Sequence, residues 1–262
     1  MDATARFVEL VHRPEGAIPL DEAALLIAAH AHPDLDPAAG QARLDEIAGG
    51  VLGSTLDALR RHLFVELGFT GDDVHYHDLR NSFLDDVLER RVGIPITLSV
   101  VMIEVGRRVG VPLSGVSMPG HFLVRDGIDP DVFVDAFARG AVLDEAACRQ
   151  RFHQVHGPGA EFDPAFLRPV GTVAIITRML GNLEGIATTS GDRDLLSWVL
   201  TLRSSMPDAG GAEHRKLAAV LASSGRFGEA AGILDRLAGE HPDEASSAQL
   251  AQAAHRLRAK LN

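Results

Sequence analysis

RVGIPITLSVVMIEVGRRVGVPLSGVSMPGHFLVR, residues 91–125, changes its hydrophobic period partway along. From Ile96 or Thr97 to Val109 the apolar residues recur at helical spacing, with Leu98, Val101, Met102, Val105 and Val109 forming the stripe a core would cover. Pro95 suits the first turn of such a helix, where its missing N–H is no loss. After Gly110 come LSGVSM (113–118), HFLVR (121–125) and VFVDAF (132–137), short β-rich segments separated by Pro119-Gly120 and by DGIDPD. Helix first and strands after predicts an α+β domain, an antiparallel sheet packed on the preceding helix.

Upstream, the punctuation is helical. IPLDEAALLIAAHAHPDLD starts a helix near Asp21 and stops it before Pro33, and AAGQARLDEIAGGVL suggests a second. LDALRRHLFVELGF places Leu56, Leu59, Leu63 and Leu67 at helical spacing before Gly68. In the next segment Asn81 or Ser82 offers a cap for a helix burying Phe83, Leu84, Val87 and Leu88. Downstream, a helix from Leu143 to about Arg151 closes the first domain, residues 1–165. The remainder, 166–262, reads as helical, and Leu195, Val199 and Leu202 recur 35 positions on as Ala230, Leu234 and Leu237, with Pro207 matching Pro242.

At 262 residues, with 46% hydrophobic and 23% charged residues, the chain can bury a core without disulfide or metal staples. A formal charge of −11 argues against nucleic-acid binding, which needs a basic footprint to displace counterions. The single cysteine, Cys148, excludes an intramolecular disulfide framework. No apolar run approaches a membrane span, and Asp2, Arg6 and Glu9 interrupt any signal-peptide pattern, so a cytoplasmic location is expected.

RVGIPITLS before a helix, then GVP, MPGHFLVR and VFVDAF, resembles the transglutaminase-like (papain-like) family, and more narrowly its bacterial SirB-type branch with a C-terminal tetratricopeptide-like region. HYHDLRNSFLDDVLERR and TRMLGNLE extend the resemblance over about Leu20 to Pro242. It implies a cysteine at the N-terminus of the central helix and a histidine and an aspartate from adjacent strands. In that arrangement the imidazole takes the thiol proton, the carboxylate fixes the imidazole, and the helix terminus lowers the thiol pKa. His121 matches the family histidine and Asp135 the aspartate. The cysteine position falls at Pro95 to Thr97, where no cysteine stands.

Two hydroxyls lie close to that gap. Thr97 or Ser99 could face His121 with Asp135 behind it, or each could serve local backbone hydrogen bonding in the helix. Cys148 lies in AVLDEAACRQRF and reads as a small buried hydrophobe. Tyr76, His77, Asn81 and Ser82 match family positions in a Y-x-x-x-x-N-S arrangement, either lining the cleft or shaping a loop and a helix cap. Arg91 could bind a carboxylate, and Pro119-Gly120 shapes the start of the second strand.

The histidines do not spell a metal site. His75 and His77 form an HxH pair in loop-like sequence, His153 and His156 are spaced i, i+3 near Pro158, and His12, His30, His32 and His62 are scattered. No phosphate-binding glycine loop is present, so no metal or cofactor is expected. The leading functional expectation is a transglutaminase-like protein without its thiol, binding a peptide or protein partner in the old cleft or through the helical region, with a regulatory role. The rival expectation is a hydrolase or amidase-like enzyme using Thr97, Ser99 or activated water with His121 and Asp135.

Overall fold

The computed structural model describes residues 2–240 and 243–261. Four helices open the chain: α1 (Ala3–Val11), α2 (Leu20–Ala28), α3 (Pro37–Gly49) and α4 (Leu56–Arg60). Local chemistry sets two of their starts. Asp36 accepts from the Ala38 N–H ahead of α3, and Thr55 accepts from the Ala58 N–H ahead of α4. Beyond Arg60 the chain widens into a π-type turn over Arg61–Glu66, and Gly68, at φ 76°, ends the run. Asp21 does not cap α2: it lies in the first turn, and its carboxylate is buried 2.6 Å from the Arg108 guanidinium.

Strands β1 (Thr70–Gly71) and β2 (Val92–Gly93) pair in parallel, with α5 (Leu84–Arg90) between them in the chain. Neither Asn81 nor Ser82 caps α5. Asn81 instead ends a 3-10 turn over Leu79–Asn81, capped by the Asp78 carboxylate, and Phe83 takes the cap position of α5 without a side-chain bond.

The central helix α6 (Pro95–Val109) carries the expected stripe, with Leu98, Val101, Met102 and Val105 all buried, but Val109 is only half-buried. Ile96, Thr97, Ser99, Val100 and Glu104 are buried as well. Sequence periodicity suggests a helix with one dry side; here α2, α3, α4 and α5 pack on it together with β3 (Leu113–Val116) and β4 (Leu123–Asp126). A helix enclosed this way must satisfy its polar side chains within the protein. Glu104 does so through Arg107 and Arg108, each 2.8 Å away.

Next come β5 (Phe133–Asp135), β6 (Ala141–Leu143) and α7 (Glu145–His156). Asp144 caps α7, which runs past the expected end near Arg151 until Gly157 turns the chain. β7 (Pro169–Val170) returns to pair with β3, so the antiparallel sheet has the order β6-β5-β4-β3-β7. Val116, Leu123 and Phe133 pack with Met118, Cys148, Phe152 and Leu167 into one buried cluster.

The rest is helical: α8 (Thr172–Ser190), α9 (Arg193–Ser204), α10 (Gly211–Ser223), α11 (Phe227–Glu240) and α12 (Glu244–Arg258). The chain forms two compact units, up to Met179 and from Leu180 onward, with the boundary inside α8. In the second unit α9 packs on α10, α10 on α11 and α11 on α12, around Leu200, Leu217, Leu221, Ala231 and Ala254. Pro242, the expected partner of Pro207, lies outside the described residues. The fold is therefore mixed α+β, with N-terminal helices, an antiparallel sheet and a C-terminal helical region.

Candidate active site

Sheet register brings His121 and Asp135 together. β4 and β5 run antiparallel with Val124 opposite Val134, so the start of β4 lies beside the end of β5, where Asp135 stands. A tight turn delivers His121 to that edge. The His121 N–H bonds the Met118 carbonyl at 3.1 Å, and Gly120 adopts φ 74° after Pro119, the glycine conformation that a type II turn needs.

His121 Nε2 lies 3.0 Å from Asp135 Oδ1, with the histidine side chain 8% exposed and the carboxylate fully buried. The two atoms approach without the alignment of a good hydrogen bond, a looseness common in catalytic pairs without substrate. Arg151 stands 3.2 Å from Asp135 Oδ2, and the Ala138 N–H donates to Oδ1 at 3.1 Å. Burial alone would raise the Asp135 pKa; the contact and charge of His121, the Ala138 N–H and Arg151 outweigh it and hold the pKa below its usual value. The carboxylate is thus kept charged against the imidazole. With Nε2 facing it, Nδ1 is the nitrogen available to take a proton.

The two hydroxyls point elsewhere. Thr97 Oγ1 donates to the Asn81 carbonyl at 2.7 Å and accepts from the Ile94 N–H at 3.2 Å, which fastens the start of α6 to the preceding turn. Gly93 leaves room for this, since a Cβ there would come 2.8 Å from Thr97 Oγ1. Ser99 donates to the Pro95 carbonyl one turn back, at 2.7 Å. Pro95 opens α6 at the position where the family resemblance implies a nucleophile. The chain's one cysteine, Cys148, is buried in α7 and not positioned as an obvious nucleophile. Burial, aided by Asp144, Asp135 and Glu145, pushes its thiol up to about 12.

The Y-x-x-x-x-N-S segment forms a pinned loop. Fully buried Asn81 donates from Nδ2 to Asp72 Oδ2 at 3.1 Å and to the His75 carbonyl at 2.9 Å, and accepts from Arg90. The Ser82 N–H donates to the Leu79 carbonyl at 2.8 Å, while its buried hydroxyl has no hydrogen-bond partner among the described residues. The loop presents Tyr76 edge-on to His77 and to Phe137, whose ring is in turn edge-on to His121 at 6.2 Å. Arg91 ends α5 at φ 62° and donates to the Leu67 carbonyl at 2.9 Å.

A second histidine–aspartate group lies elsewhere in the same unit. His32 Nδ1 is 2.6 Å from Asp85 Oδ2, and its Nε2 is 3.6 Å from Asp86 Oδ2. Burial, followed by the charge of Asp85, raises the Asp86 pKa. These three residues offer ligand atoms within 4.8 Å of one another, a cluster of a type that can support hydrolase chemistry. His153 and His156 each meet a backbone carbonyl, of Gly157 and Pro119. A recess of about 650 Å³ lined by Asp21, Asp45, Glu104, Arg107 and Arg108 holds neither His121 nor Asp135, and its charges pair with one another.

Several of these contacts escape sequence reading. Phe137 follows Asp135 by two positions, so strand alternation could have found it. Arg151 falls at the end of the expected closing helix, and nothing in the local sequence points it to Asp135. Nothing local signals His32 with Asp85, which are 53 residues apart in the chain.

A helix enclosed by helices and an antiparallel sheet, with a histidine just before one strand and an aspartate at the end of its neighbour, is the arrangement of papain-like folds. The transglutaminase-like superfamily profile matches residues 20–181, and the chain belongs to that superfamily. It is 41% identical over 182 residues to a UPF0162 protein of Xylella fastidiosa, covering 64% of this chain and 65% of the relative. Identity to a UPF0162 protein of Pseudomonas aeruginosa is 35% over 184 residues, 66% of each chain. F-box only protein 21 of Mus musculus is 32% identical over 170 residues, 61% of this chain and 26% of that protein. The match thus spans just under two thirds of the length of these bacterial relatives. No solved structure matches the chain. Among the described residues no helix is long and apolar enough to cross a membrane.

Proposed function

We propose that the transglutaminase-like domain is a hydrolase of amide-type bonds in which water stands in for the missing thiol. His121 Nδ1 takes a proton from water, the hydroxide adds to the carbonyl carbon, and the C–N bond breaks as the proton passes to the leaving amine. Asp135 holds the imidazole and offsets the imidazolium charge. The observation that carries this reading is the buried His121–Asp135 pair at 3.0 Å, with Arg151 behind it. Thr97 and Ser99 have a structural role in this scheme, because their hydroxyl hydrogens go to backbone carbonyls.

We place the chain in the SirB-type branch on the run RVGIPITLS, GVP, MPGHFLVR and VFVDAF, with residues 1–165 as the chemical part and 166–262 as a tetratricopeptide-like part acting in the cytoplasm. Left-handed Gly191 and Gly225 just before α9 and α11 support the repeat reading. A second reading, a silent cleft that binds a peptide or protein partner, is favoured by the engagement of Thr97 and Ser99 with backbone carbonyls and the burial of Cys148.

The test is amine release from a casein digest and from N-acetyl peptide p-nitroanilides by the full chain, His121→Asn and His32→Asn. Release lost in His121→Asn supports the proposal. Release that survives there but disappears in His32→Asn or with a chelator moves the chemistry to the His32 cluster. No release, with peptide binding retained, leaves the binding reading.

A further inference from the structure

Arg178, on α8, is a cation with no anion beside it among the described residues. Acidic residues outnumber basic ones in this chain, 36 to 25, and Arg107, Arg108 and Arg151 each lie within reach of a carboxylate. Arg178 is half-buried, yet its one side-chain hydrogen bond among the described residues is to a neutral group: Nη1 donates to Ser117 Oγ at 3.0 Å. Most of its N–H donors are therefore unspent. Burial lowers its pKa, and the opposing influence comes from the Tyr76 phenol. Tyr76 shows the reciprocal effect, raised by burial and lowered by Arg178, so guanidinium and phenol lie within electrostatic reach. The Tyr76 hydroxyl has no hydrogen-bond partner among the described residues, and the side chain is partly open to solvent. A half-buried charge with no counterion among the described residues and with donors of its own to spare is costly as architecture and useful as recognition.

Its position ties it to the chemistry. Ser117 immediately precedes the turn Met118–His121, so the hydroxyl touching Arg178 and the imidazole stand at the two ends of one tight turn. On the other side Tyr76 reaches His121 through Phe137, with ring centroids 5.9 Å and 6.2 Å apart. Gly71 admits the Phe137 ring, since a Cβ there would come 2.4 Å from it.

We propose that Arg178, Tyr76 and Ser117 form a carboxylate-binding subsite beside His121, so that the substrate is a peptide-like amide carrying a free carboxylate. The substrate assignment rests on the hydrolase reading; the binding site does not. Guanidinium and carboxylate pair in a plane through two parallel hydrogen bonds, and the phenol and serine hydroxyls supply further donors to the same oxygens. A single cation in a chain of net charge −11 fits a monoanion rather than a phosphate dianion.

Tyr76 is the chain's only tyrosine, so the full chain labelled with [13Cζ]tyrosine gives one NMR resonance from the site. The probes, at constant ionic strength, are acetyl-Ala-Ala-Ala as free acid, the same peptide as C-terminal amide, acetyl-Ala-Glu-Ala-amide and inorganic phosphate. The free acid, the glutamyl peptide or both should shift the resonance saturably and bind about tenfold or more tighter than the amide. Whichever peptide binds identifies the source as a chain terminus or an acidic side chain. Arg178→Gln should abolish the preference and Arg178→Lys should reduce it. Equal binding of acid and amide, phosphate binding tightest, or no shift with any probe overturns the subsite, and these comparisons use the unmutated chain. Free-acid binding by a chain that hydrolyses nothing keeps the subsite and removes the hydrolase reading. Hydrolysis without preference for a carboxylate does the reverse.

Discussion

Replacing Asp135 by Asn isolates the charge at the centre of the site. The amide keeps almost the same volume, and its oxygen can still accept from the Ala138 N–H, so packing and that bond are preserved. What disappears is the negative charge between His121 Nε2, 3.0 Å away, and Arg151, 3.2 Å away. Breaking a buried ion pair costs about 3–5 kcal/mol when the abandoned partner stays buried. Arg151 is 32% exposed and can turn its charge to water, so the expected loss is smaller, about 2–3 kcal/mol, close to that of hydrogen bonds to a charged group. The pH dependence has a definite sign. Because the folded pKa of Asp135 lies below its ordinary 3.8, the native state holds fewer protons than the unfolded chain; the carboxylate's contribution is full above that value and lost as pH falls through the folded pKa. The difference between unmutated and Asp135→Asn chains should therefore be present at pH 5 and close as pH falls below about 3.8. Amide hydrogen exchange of Leu123–Asp126 and Phe133–Asp135 measures it locally, which suits a chain of two compact units. A loss below about 1 kcal/mol, the range of exposed ion pairs, would refute the view that a buried charge organises this site.

Thr97→Val should cost about 1–3 kcal/mol, because it removes bonds to Asn81 and Ile94, while Thr97→Ser should keep most of that stability; urea unfolding distinguishes them. A Thr97→Val chain of unchanged stability that had lost hydrolysis would instead make Thr97 the nucleophile. Gly120→Ala places a Cβ at φ 74°, 2.6 Å from Val155, and should destabilise the chain by about 2 kcal/mol in the same assay, left-handed strain being the main part. Cys148, its thiol pushed up to about 12, should resist iodoacetamide at pH 8 in the native chain and react once urea unfolds it; rapid native labelling would contradict the burial of α7's inner face.

Much of the fold is legible locally. The change of period between Val109 and Leu113 marks the passage from helix to sheet, because helices and strands present side chains to a core at 3.6 and 2 residues. Gly110 and Gly120 mark turns that need a left-handed residue, and both adopt φ above 70°. Legibility fails where partners are distant. Asn81 looks like a helix cap, yet its amide serves Asp72, the His75 carbonyl and Arg90, because the loop carrying Tyr76 folds back over it. Glu104 and Asp21 look like exposed polar residues of amphipathic helices; both are buried against Arg107 and Arg108, since α6 is covered on several sides.

By itself, the sequence determined the α+β order and the absence of a cysteine at the start of the central helix, because turn chemistry, periodicity and residue identity are local properties; His121 and Asp135 follow only from the family resemblance of MPGHFLVR and VFVDAF. Tertiary structure alone decided where each polar group spends its hydrogen bonds. It set Thr97 and Ser99 on backbone carbonyls, Arg151 behind Asp135, Phe137 against His121, His32 between Asp85 and Asp86, and Arg178 on Ser117 with no carboxylate partner among the described residues. Those outcomes depend on which distant segments share a low-dielectric interior, and burial converts weak local preferences into obligations to find a partner.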